Sequence, residues 1–388
     1  MKLDDNMMQR MTLSPEATAE AQKAHAAAVE EFMDPQRLRP NVVGMGVGMK
    51  WRDGEPTGEP ALVTLVSRKL PRDELREADL VPQTLADMQT DVLEVGYLFA
   101  HVGELRQQQP SQLRTEIIQP GDGLLTGGYR VSETVEPLEK PTIELLARRT
   151  RPAEGGYSVG HFRITAGTIA TCVYDILPGG SINPPTHGVG VPSRYYILSN
   201  NHVLANSNNA TIGDRILQPG PFDGGVDPSD RIANLSRFIP IEFEPPIPRA
   251  QHNNLVDAAI AEGQFHDLDR EIYWIGYVRG WRRKQNVTVG TRVYKTGRTT
   301  NFTSGRITAI GATVDVNYGG GRLARFRDQI VTTNISAPGD SGSLVVTLEN
   351  SIPVAVGLLF AGSSVATIVN QIENVRSLLR VEVAEQIL

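Results

Sequence analysis

The chain has 388 residues, of which 40% are hydrophobic, 21% charged and 6% aromatic, and its net charge is −6. At about 100–200 residues per domain, that length suits two or three domains with real cores. A nucleic-acid partner is not expected, because phosphate binding needs a basic stripe and none is present. The short clusters Arg148-Arg149-Thr150-Arg151 and Arg282-Arg283-Lys284 read as solvated charge. A single cysteine, Cys172, rules out an intrachain disulfide and a multi-cysteine metal site. It also points to a reducing compartment. Residues 1–12 hold no apolar signal core. No run approaches the roughly 18 apolar residues of a membrane span. A cytoplasmic protein with no membrane partner is expected.

Residues 14–33 predict a helix, with Ser14 as cap, Pro15 at the first helical position and Ala-rich sequence after it. Residues 41–49 and 60–67 predict a β-hairpin, residues 75–85 a short helix and residues 90–97 another strand. Gly44, Gly46 and Gly48 fit a strand with close backbone approach, since neither a P-loop Lys-Ser/Thr nor a GxGxxG pattern follows. Residues 106–155 read as a linker. From residue 156 onward, short apolar runs are broken by Gly, Asn, Asp and Pro, as in an all-β barrel or sandwich. A closing helix is expected over 375–388, with Leu378 and Leu379 packing inward.

Three motifs follow in the order His, Asp, Ser. In YYILSNNHV an apolar strand runs into a polar turn that presents His202. In LVDAAIA a lone carboxylate, Asp257, opens an apolar strand. In APGDSGSLV, Ser341 sits in a glycine-flanked turn before a strand. Each alone is a weak signal, but their conjunction in this order is that of the chymotrypsin type. His161, His187, His252 and Asp214 lack comparable settings and read as structural. With so few His and one Cys, neither a metal nor another cofactor is expected.

LSNNHVLA and PGDSGSLV resemble the catalytic-His and catalytic-Ser motifs of chymotrypsin-like (trypsin-like) serine peptidases. The stretches GGYSVGHFRITAGTIAT, ATIGDRILQPGPFDGG and KTGRTT are similar to a narrower group, the plant NARROW LEAF type and its bacterial relatives. So is the leading GVGMKWRDGEPTGEPAL. The resemblance implies a mainly β, chymotrypsin-like double β-barrel at 156–388. It is preceded by an N-terminal helix (1–35), a small α+β domain (36–105) and the linker.

The resemblance implies peptide-bond hydrolysis with Ser341 as nucleophile, His202 as general base and Asp257 as its orienting partner. The Gly339 and Ser341 N–H groups would form the oxyanion hole. Ile335, Phe360, Ala361 and Gly362 would line the substrate pocket. Ile335 stands where trypsins carry an acid, so an uncharged P1 side chain is expected unless another acid, such as Glu373, reaches in. Asp340 pairs with a freed N-terminus in zymogen-activated members, a route poorly suited to a chain with this long a leading region. Val203 replaces a Cys of disulfide-bonded relatives, and Asn301 replaces a Gly whose left-handed geometry Asn tolerates. The expected partner is a protein or peptide substrate, and a homo-oligomer is compatible with the sequence. The alternatives are an esterase-like acyl hydrolase and a non-proteolytic scaffold on the same fold.

Overall fold

The computed structural model describes residues 12–37, 39–100 and 145–384. Helix α1 (Pro15–Phe32) starts where Ser14 Oγ accepts the Ala17 N–H at 3.2 Å, and Pro15 supplies the first turn. Strands β1 (Val42–Arg52) and β2 (Glu55–Val66) form the expected antiparallel hairpin. Strand β3 (Met88–Glu94) runs parallel to β2.

The expected helix over 75–85 is absent. One 3-10 turn, Arg72–Glu74, precedes it and another, Glu77–Asp79, lies within it, and Thr84–Leu85 pairs with Met88 and Gln89. Pro82 interrupts the stretch, and few of its side chains are buried, so nothing drives helix propagation.

The first barrel is built from β4 (Ser158–His161), β5 (Thr171–Asp175), β6 (Tyr195–Ser199), β7 (Arg215–Leu217), β8 (Arg231–Phe238) and β9 (Ala259–Gly263). Its hydrogen-bonded order is β5-β6-β9-β8-β7-β4. Gly167 and Thr168, just ahead of β5, pair back onto β4 and close the ring. Cys172 lies fully buried in this core, where burial pushes its thiol pKa up to about 12.

The second barrel is built from β10 (Arg292–Gly297), β11 (Asn301–Asn317), β12 (Leu323–Thr333), β13 (Leu344–Glu349), β14 (Ile352–Gly362) and β15 (Ala366–Gln371). Its order is β10-β13-β14-β15-β12-β11, and β11 pairs back onto β10 to close it. The architecture is the expected mainly β double barrel.

Strand β11 does two jobs along its length. Residues 301–306 pair with β10, whereas residues 309–314 pair with β1. The leading hairpin therefore extends the second barrel's sheet. Their cores also merge: Ala28, Val29 and Phe32 of α1 and Met45 and Val47 of β1 share one cluster with Val293, Ile335 and Leu359.

Most of the expected linker, residues 106–144, lies outside the described residues. Its last part is structured, because Ala153–Gly155 pairs in parallel with Leu268–Ile272 and Leu146 is fully buried. The closing helix is earlier and shorter than expected. Helix α3 spans Ile372–Leu379 and ends where Arg380 turns left-handed at φ 56°. The chain then pairs Val381 and Glu382 with β5. Leu379 packs inward at 1% exposure, whereas Leu378 is 41% exposed. Adjacent helical residues lie about 100° apart, and the buried face of this helix takes Ile372, Val375 and Leu379 and leaves Leu378 outside it. Among the described residues, no helix is long and apolar enough to cross a membrane.

The close approach read from the leading glycines is real. A Cβ at Gly48 would stand 2.6 Å from Val63 Cγ2 and 2.8 Å from the Thr308 carbonyl oxygen. Gly48→Ala is expected to cost about 1–3 kcal/mol through overpacking. A urea or thermal melt checks this, and an unchanged midpoint would mean that the β1–β11 contact yields freely.

Candidate active site

Strand β6 is held between β5 and β9 and stops at Ser199. Asn200 then occupies the N-cap position of the short helix α2 (Asn201–Leu204), which carries His202. The two asparagines tie this turn down. Asn200 Nδ2 donates to the Asp257 carbonyl at 2.7 Å, and Asn201 Nδ2 to that of Ile239 at 2.7 Å. Val203 and Leu204 anchor its other face in the first barrel's core.

Asp257 lies two residues before β9 and is fully buried between the barrels. His202 Nδ1 is 2.6 Å from Asp257 Oδ2, and the His202 N–H donates to Oδ1 at 3.1 Å. The opposite barrel supplies two further contacts. Tyr318 Oη donates to Asp257 Oδ2 at 2.7 Å, and the Asp257 N–H donates to Asn370 Oδ1 at 3.1 Å. His202 Nε2 is buried and has no hydrogen-bond partner. The structure therefore joins the predicted His and Asp, while Ser341 makes no hydrogen bond to the ring.

Ser341 is 8% exposed, in the turn between β12 and β13. Thr168, at the closing edge of the first barrel, grips this turn twice. Its N–H donates to the Ser341 carbonyl at 2.8 Å and its Oγ1 to that of Gly339 at 2.9 Å. Gly342 has φ 96°, and a Cβ there would stand 2.1 Å from Ser199 Oγ, at the end of the strand that leads to His202. A Cβ at Gly167 would meet Val203 Cγ2 at 2.4 Å and the Ser341 carbonyl oxygen at 2.9 Å. One glycine thus separates the His202 helix from the Ser341 turn.

Within this turn the N–H groups of Asp340, Gly342 and Ser343 meet the carbonyls of Ala337, Leu359 and Asp340. Those of Gly339 and Ser341 meet no acceptor among the described residues. The Asp340 carboxylate turns inward. It accepts from the N–H groups of Thr299, Thr300 and Ala337, from Thr300 Oγ1, and from Lys295 Nζ at 3.2 Å. Asp340 and Lys295 are both fully buried. Burial pulls the Lys295 pKa down, and the Asp340 charge acts against that shift. The cation facing Asp340 is thus an internal lysine. Asn301, beside it, has the left-handed φ of 56° expected where relatives carry Gly.

The expected pocket residues are placed unevenly. Ile335 is buried with Val345, Val356 and Leu359, and Phe360 is buried against Phe326 at 4.6 Å between ring centroids. Ala361 is 4% exposed. The Gly362 N–H and C=O are both engaged by Phe99, at 3.1 and 3.0 Å. Glu373 is held elsewhere, accepting the Lys284 N–H at 2.7 Å with Arg283 3.8 Å away. His161 is buried against Asp214 at 3.0 Å. Among the described residues, no three His, Cys, Asp or Glu side chains gather to hold a metal ion.

Sequence reasoning missed Tyr318, Asn370 and Lys295. Only Lys295 lies in a stretch already singled out, KTGRTT.

No family model matches the chain. Serine protease 2 of Streptomyces fradiae is 41% identical over 80 residues, which cover 20% of this chain and 35% of that protein. The chain therefore spans about a third of the length of this curated relative. Among solved structures, Thermobifida fusca Protease A matches with 16% identity and a TM-score of 0.38, covering 59% of this chain and 96% of that one. Nocardiopsis protease matches with 16% identity and a TM-score of 0.39, covering 59% and 97%. Cellulomonas bogoriensis chymotrypsin matches with 17% identity and a TM-score of 0.37, covering 59% and 96%.

Proposed function

We propose that this chain is a serine endopeptidase that cleaves peptide bonds through an acyl-enzyme, with Ser341, His202 and Asp257 as its triad. The observation that carries this reading is the His202–Asp257 pair, whose Nε2 is buried without a partner on a helix that only Gly167 separates from the Ser341 turn. A hydroxyl is a poor nucleophile without a base. His202 Nε2 takes the Ser341 proton as Oγ attacks the substrate carbonyl carbon, and returns it to the leaving amine. Asp257 keeps the imidazole proton on Nδ1 and stabilises the imidazolium. Water then attacks the ester by the same proton route. Contact between base and nucleophile is often loose without substrate and tightens on binding.

The free N–H groups of Gly339 and Ser341 receive the oxyanion, each worth about 3–4 kcal/mol in comparable sites. Lys295 keeps their turn in shape through Asp340, with no need for a freed N-terminus. An extended substrate reaches Ser341 along residues 359–362 of β14, beyond the stretch that pairs with β13. There Leu359 already bonds the Gly342 N–H and Phe99 already bonds Gly362, so such a substrate competes with Phe99. The stretches quoted above support the narrower likeness to the NARROW LEAF type. A cytoplasmic setting suits the lone, buried Cys172.

Ser341→Ala and His202→Ala are each expected to lower kcat by about a million-fold. Asp257→Asn should lower it by about ten-thousand-fold, through the wrong tautomer. A fluorophosphonate probe should label the wild type at Ser341 and leave Ser341→Ala unlabelled. Absence of labelling would favour the scaffold reading. Labelling with ester turnover but no peptide digestion would favour an esterase.

Lys295→Met leaves the Asp340 carboxylate buried without its cation, at a cost of about 3–5 kcal/mol. Adding Asp340→Asn should recover part of this in thermal melts. A single variant as stable as wild type would refute the role given to the pair. A P1-varied peptide library should show a preference for uncharged side chains, because an unpaired buried cation costs several kcal/mol. Cleavage mainly after Arg or Lys would overturn that.

A further inference from the structure

Tyr318 directly follows the long strand β11 and faces into the seam between the barrels. It is 2% exposed. Its Oη donates to Asp257 Oδ2, the same oxygen that His202 Nδ1 meets. Its ring stands edge-on to the His202 imidazole, with centroids 6.1 Å apart at 80°. Phe243 meets it edge-on at 5.1 Å and Phe326 stacks on it at 6.2 Å. The chain reverses immediately afterwards through Gly319, Gly320 and Gly321, all with positive φ. A second clamp lies just before it. The Asn317 N–H donates to the Leu98 carbonyl at 2.9 Å, and the Ala100 N–H donates to the Asn317 carbonyl at 3.0 Å.

We propose that Tyr318 is a positioning residue for the His202–Asp257 pair, braced from outside by the leading segment Leu98–Ala100. The proposal rests on the peptidase reading of that pair. The phenol touches no reacting atom. It fixes Oδ2 where His202 Nδ1–H must find it and draws off part of the carboxylate's charge. Burial and the Asp257 charge push the phenol pKa well above its usual value, with Arg322 acting in the opposite sense. The hydroxyl therefore stays a donor across the working pH range. Its role differs from plain packing in one respect. Without the donor, Asp257 holds the imidazolium more tightly, so the base stays protonated to higher pH.

Tyr318→Phe removes the hydroxyl and keeps the ring. The expected result is a loss of about tenfold in kcat, with KM changed less than about twofold. The acid limb of kcat/KM should move up by about half a pH unit or more. Wild-type kcat with an unmoved limb would overturn the proposal. Should that variant not fold, 3-fluorotyrosine at position 318 decides the question. It is a stronger donor of nearly the same size, so the limb should move down, and an unmoved limb would refute the role. Phe243→Leu loosens the ring's packing and leaves the hydroxyl. It should lower the melting temperature without moving the limb, and a limb shift like that of Tyr318→Phe would reduce the role to packing. Failure of the wild type to label at Ser341 would sink the peptidase reading and this proposal together. A labelled wild type with both Tyr318 variants unmoved would sink this proposal alone.

Discussion

Much of the architecture converges on one buried carboxylate. An isolated charge in a protein interior is costly, so Asp257 must be surrounded by donors. Those donors come from both barrels. His202 approaches from the first barrel, and Tyr318 from the second. The backbone on either side of the carboxylate is likewise divided, its carbonyl held by Asn200 and its N–H by Asn370. Asp257 thereby pins the barrels together at the point where the proposed chemistry needs a fixed imidazole. Pulling the barrels apart would expose a half-satisfied charge, which resists sliding at the seam.

A second buried carboxylate serves the other half of the site. Asp340 turns away from solvent and gathers three backbone N–H groups, a hydroxyl and the Lys295 ammonium. Its side chain thus sets the turn from beneath, while Thr168 holds the same turn from the first barrel. The N–H groups of Gly339 and Ser341 are left without an acceptor among the described residues. Buried pairs of this kind add little net stability, but removing one partner leaves the other charge stranded. That asymmetry suits a turn that must hold one conformation.

The leading segment is tied to the same region. Strand β1 lengthens the second barrel's sheet along β11, and α1 shares that barrel's core. Beyond β3, residues 98–100 run between Asn317 and Gly362. They therefore touch both the strand that leads to Tyr318 and the edge along which an extended substrate would lie.

Local sequence alone determined the cap of α1, the leading hairpin, the run of short strands and the motifs around His202, Asp257 and Ser341. Each of these is written within a few consecutive residues, as a strand ending in a polar turn or a serine between glycines. Boundaries set by competition escaped it. Pro82 and the lack of a buried face cancelled one helix, and pairing of Val381 with β5 cut another short. The donors to the two carboxylates escaped it too. Tyr318 lies 61 residues from Asp257, Asn370 lies 113 from it, and Lys295 lies 45 from Asp340. A tyrosine before three glycines or a lysine in a strand carries no local mark of its partner. Only closure of the second barrel against the first brings those donors to the charges, because a buried carboxylate is satisfied by whatever the packed fold delivers to it.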